Sequence, residues 1–101
     1  MTRLEMIAHV TDSIETIKKY RDDISALRAY HVHPLRRELH SYVDHCNHSL
    51  SARSTRLRQY RQMSDEEFDT LLDVRNVVRF DLSDLNSLKI AYTTLMNQWR
   101  M

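Results

Sequence analysis

Not one glycine occurs in this chain of 101 residues, and proline occurs once, at Pro34. Glycine supplies the positive-φ positions of tight turns, helix C-caps and phosphate-cradling loops. A chain that never uses it is expected to be helical, with few and short turns. The same absence removes nucleotide sites built on glycine-rich loops, so the feature that sets the fold class also narrows the function.

The length fits one domain with a modest core. Apolar residues make up 42% and charged residues 29%, a balance neither disordered nor membrane-spanning by composition. The opening Met-Thr-Arg-Leu-Glu-Met-Ile carries an acid and no long apolar core, so no secretory signal is expected. Cys46 is the sole cysteine and cannot form an internal disulfide, which fits a reducing, cytoplasmic setting. A formal net charge of +1 gives no overall pull toward nucleic acid or anionic lipid.

Periodicity predicts an all-α antiparallel helical bundle with two long and two shorter helices, over about residues 2–31, 34–62, 65–79 and 83–100. Leu4, Ile7, Val10, Ile14 and Ile17 recur at spacings of three and four, and the seam continues through Tyr20, Ile24 and Leu27. Two successive spacings of three slip this stripe near Tyr20. In a long coiled coil that is a stammer; in a small bundle it marks a change of neighbour. His33-Pro34 is the first break, since proline disfavours helix in the residue before it and suits the first helical position. The second stripe is Leu35, Leu39, Tyr42, Val43, Cys46, Leu50, Leu57 and Tyr60. Ser64-Asp65-Glu66-Glu67 reads as a capping box for the third helix, followed by Phe68, Leu71 and Leu72. Asp81 or Ser83 is expected to cap a fourth helix with Leu85, Leu88, Tyr92, Leu95 and Trp99 on its inner face. The short pair could run end to end as a third rod or fold back into a four-helix bundle.

Chemistry is sparse. No catalytic residue and no cofactor are expected. His40, Asp44 and His48 stand at i, i+4 and i+8 and form a weak zinc candidate, but on the solvated flank of their helix. Cys46 lies on the apolar stripe, a place for an inert thiol rather than a nucleophile. His31 and His33 are expected to satisfy loose carbonyls at the first turn. Arg53, Arg56, Arg58 and Arg61 cluster where no acid occurs between His45 and Ser64, and could serve nucleic-acid binding. Seven acids between Asp65 and Asp84 offer the competing reading, that the arginines pair internally and fix register.

The expected function is a non-enzymatic helical interaction module: an adaptor, chaperone-like escort or stoichiometric inhibitor, such as phages and mobile elements carry. The alternatives are a nucleic-acid-associated regulator and a metal-responsive sensor. Another protein is the expected partner, and a homodimer is expected as well. Ile24 and Leu27 on the first helix, with Ile90, Met96 and Trp99 near the C-terminus, are the expected protein-binding residues.

Overall fold

The computed structural model describes residues 1–34 and 36–100 and is built from helices, with no strand among them. Leu35, expected on the second stripe, lies outside the described residues. Helix α1 spans Arg3–Ser25, α2 Arg36–Gln62, α3 Asp65–Asp69 and α4 Val74–Trp99. A 3-10 turn at Arg28–His31 links α1 to α2. Helices α1, α2 and α4 lie side by side in a rod measuring 51 × 20 × 16 Å.

Capping sets the helix starts. Thr2 Oγ1 accepts from the Glu5 backbone N–H, and Glu5 Oε1 accepts from the Thr2 backbone N–H, a closed capping box. Ser64 and Glu67 repeat that box at α3, as the sequence predicts. Helix α1 ends earlier than its apolar stripe suggests. Its last turn holds no basic residue, and Asp22 and Asp23 stand where the helix dipole disfavours negative charge. Leu27 then turns extended, at φ −67° and ψ 140°.

The expected break between Phe80 and Ser83 is absent. Helix α4 runs unbroken for 26 residues, and the break falls earlier, at Thr70–Asp73, leaving α3 only five residues long. Asp81 cannot act as a cap there because Arg56 holds both its carboxylate oxygens. The Thr70 hydroxyl donates to the Glu67 carbonyl at 2.6 Å and closes α3 within its second turn. The chain therefore makes a third rod rather than a folded-back pair.

Contacts along the rod fix the directions. Arg3 reaches the Tyr60 carbonyl, Ser13 reaches Arg53, and Arg21 reaches Asn47, so α1 and α2 are antiparallel. Asp81 meets Arg56 while Leu88 meets Tyr42, so α2 and α4 are antiparallel too. The core holds Met6, Val10, Ile17, Ile24, Leu39 and Cys46, all fully enclosed. Phe68 closes one end, its ring edge-on to Tyr60. The slip at Tyr20 has a concrete cause: Ile17 and Ile24 face the common core, while Tyr20 stacks on Tyr92 of α4 with centroids 4.4 Å apart.

Candidate functional site

Two features of α4 set the candidate surface: an inner face pinned by ion pairs and, beyond the exposed Arg75 and Arg79 of its first two turns, an outer face on which Lys89 is the only charged residue among the described residues. The inner face comes first because it fixes how the helix is rotated. Arg53 of α2 is buried at 2% exposure and donates to groups on both α1 and α4. Its Nε bonds the Ser13 hydroxyl of α1 at 3.1 Å, its Nη2 the Asp81 carbonyl at 2.9 Å, and its Nη1 the Asp84 carboxylate at 3.3 Å. Arg56 grips the Asp81 carboxylate with two bonds of 2.7 Å, and these bonds raise its already high pKa. Asp84 also accepts from Ser49 at 2.7 Å and lies 3.2 Å from His45 Nε2. Burial pulls the Asp84 carboxyl upward, but the Ser49 and His45 bonds and the Arg53 charge outweigh it and leave it lowered.

Serine, histidine and aspartate meet at Asp84, yet in an order unsuited to nucleophilic catalysis. A triad needs the imidazole between hydroxyl and carboxylate; here the carboxylate takes both groups directly. The cluster ties α1, α2 and α4 in register. The internal reading of the basic stripe therefore holds for Arg53 and Arg56, and nucleic-acid binding by all four arginines does not fit. Only Arg58 and Arg61 stand exposed.

The zinc candidate is also redirected. His40 stacks on the Tyr30 ring at 3.9 Å, and its Nε2 lies 2.9 Å from the Tyr30 carbonyl. His40, rather than His31 or His33, meets the loose carbonyl at the first turn. Among the described residues, no group of three or more His, Cys, Asp or Glu is placed to hold a metal ion. Cys46 is buried, and burial pushes its thiol pKa up, away from a reactive thiolate. No helix among the described residues is long and apolar enough to cross a membrane.

The expected protein-binding residues divide. Ile24, near the end of α1, and Leu27, in the extended step that follows it, are both buried in the core, so neither is open to a partner. Met96 and Trp99 are half-buried against the same core. The Trp99 indole nitrogen is enclosed and has no hydrogen-bond partner among the described residues, which does not suit an open docking residue. Ile90 stands outside at 59% exposure.

Ile90 belongs to a stripe that was not expected. Asn76, Phe80, Ser83, Ser87, Ile90, Thr94 and Asn97 recur at alternating spacings of four and three, and every one is exposed. Phe80 is 71% exposed. From Phe80 to Trp99 the charged residues are Asp81, Asp84 and Lys89, and both aspartates point inward to arginines. Helix α2 shows the ordinary contrast, with Arg36, Arg37, Glu38, Asp44, Arg58 and Arg61 all exposed. Beside the stripe, a groove between α2 and α4 is lined by Ser41, Tyr42, His45, Ser87, Ala91 and Thr94. Ser41, Ser87, Ala91 and Thr94 are its small side chains, and Glu38 brings a charge to it.

Comparison with protein-family models, with curated proteins and with solved structures finds no match. The surface itself therefore carries the functional argument.

Proposed function

We propose that this chain is a non-enzymatic helical interaction module that docks another polypeptide along the outer face of α4. One observation carries the reading: a solvent-facing helical stripe at 4-3 spacing that shows Phe80 and Ile90 to water and almost no charge. An exposed helix face in a water-soluble bundle is ordinarily charged. Apolar side chains repeating every three or four residues are what a partner helix reads in groove and coiled-coil recognition. The inward ion pairs of Asp81 and Asp84 support the same reading, since they hold α4 with its uncharged side out.

The reading covers adaptor, escort and inhibitor roles alike, and cytoplasmic residence is part of the proposal. Its test is site-specific photocrosslinking in cells from position 80 or 90, with position 15 on the outward face of α1 as control. Protein adducts from the α4 positions and none from the control are expected. Equal yields from both faces overturn it.

A further inference from the structure

We infer that α4 is a strap over the α1–α2 hairpin: it swings off as one unit about the turn at Thr70–Asp73, while α1 and α2 stay paired. This motion uses the inner face of α4 and is independent of whatever meets the outer one. Burial, bonding and the turn itself point to it.

Helix α1 contributes six buried residues and α2 eight, all of them apolar except Ser13 and Arg53. Helix α4 spans 26 residues against the 27 of α2, yet buries only Asp81 and Leu88. Its other inward side chains, Leu85, Tyr92 and Leu95 among them, are half-buried against the core. A cleft of about 480 Å³ opens between α2 and α4 beside Tyr42 and Leu88, so water reaches that seam. An element with few buried apolar contacts opens at a lower free energy than the core it covers.

The bonds that close α4 are polar. Asp81 accepts from Arg53 through its carbonyl and from Arg56 through its carboxylate, and Asp84 accepts from Ser49 and Arg53. The Leu88 carbonyl accepts from Tyr42, and the Tyr92 hydroxyl donates to Asp23. When α4 leaves, both partners of each bond regain water together, so these bonds resist opening far less than their number suggests. Deleting one partner is different, because it strands the other. The turn adds little resistance. Phe68 of α3 is seated at 2% exposure, whereas Leu72, between α3 and α4, is wholly exposed. The open form uncovers Tyr20 and Tyr42, which the closed form covers with the Tyr92 ring and with Leu88.

Hydrogen exchange of the full chain, followed by peptide-resolved mass spectrometry over a series of low urea concentrations, tests the strap. Amides from Val77 to Leu95 should exchange together, about tenfold or more faster than those in the middle of α1 and α2. Their exchange should also depend less on urea, since opening α4 exposes less surface than unfolding the chain. Val43→Ala gives the sharper reading. Val43 is buried one helical turn before Asn47, which meets Arg21 of α1, on the side of α2 away from Ser49 and Arg56. It stays covered in the open form, so Val43→Ala should quicken exchange in α1 and α2 several-fold and leave Val77–Leu95 unchanged. Acceleration of all three helices alike means one cooperative unit and overturns the inference. Equal rates and urea dependence across the unaltered chain do the same. A gradient rising toward Trp99, with Val77–Leu88 as slow as α2, means fraying at the end of the helix and also overturns it.

Discussion

Arg56 and Asp81 lie 25 residues apart in the chain and meet through two parallel hydrogen bonds of 2.7 Å. Asp81 is 1% exposed, and Arg53, which also leans on it at 3.7 Å, is 2% exposed. Removing one member of a buried ionic cluster leaves an uncompensated charge, at a cost of about 3–5 kcal/mol. Asp81→Ala should destabilise the fold on that scale, read as a fall in the urea midpoint.

The arginines of α2 should separate by what they touch. Arg56→Glu places a carboxylate against Asp81 and should destabilise strongly. Arg58→Glu alters an exposed side chain with no ion-pair partner among the described residues, and should stay within about ±0.5 kcal/mol. Thermal melts of the two variants make the comparison directly. Equal losses would mean that the stripe acts as a whole rather than through its inward members.

At Ser64, removing the hydroxyl leaves the Glu67 backbone N–H without its 3.1 Å bond. Caps of this kind contribute about 0.5–2 kcal/mol. The loss for Ser64→Ala should fall within that range, since α3 seats Phe68 against the core. Denaturant titration checks it, and Ser64→Asp should recover most of the loss.

Stability should fall on both sides of neutrality. Hydrogen bonds from Tyr92 and Lys19 lower Asp23, and the net balance at Asp84 is also downward. A carboxyl lowered in the folded state stabilises above its ordinary value of 3.8, and that stability drains as pH falls through the lower folded value. The alkaline side has the opposite sign. Burial raises Cys46 and Tyr60, and the bond to Asp23 raises Tyr92. Their contributions are complete below ordinary values of 9.0 for the thiol and 10.0 for the phenols, and are lost as pH climbs beyond. Urea midpoints across a pH series should form a plateau with two falling limbs. Cys46→Ala should shift the onset of the alkaline limb upward.

Legibility followed the range of the signal. The Ser64 capping box, the break at His33-Pro34 and the inner seam of α2 are local patterns, and each appears in the structure. The break expected at Phe80–Ser83 failed because Asp81 reads as a cap until its partner 25 residues earlier is known. That one displacement had a wider effect. Cutting α4 at Phe80 severs Phe80 from Ile90 and hides the outer stripe that joins them. Ile24 and Leu27 failed for a related reason. A slipped stripe shows that a helix has two neighbours, but not that both belong to the same chain.

Leu88 and Ile90 provide the sharpest check on how α4 is rotated. They stand two residues apart, yet Leu88 is 2% exposed and Ile90 59%. Leu88 also packs in the core beside Tyr42, whose hydroxyl donates to its carbonyl at 2.8 Å. Truncating a buried leucine costs about 2–5 kcal/mol through lost burial and the cavity left behind. Leu88→Ala should show that loss. Ile90→Ala should change stability by no more than about 0.5 kcal/mol. Similar losses for both would mean that α4 is turned differently about its axis, and the outer stripe would no longer face outward.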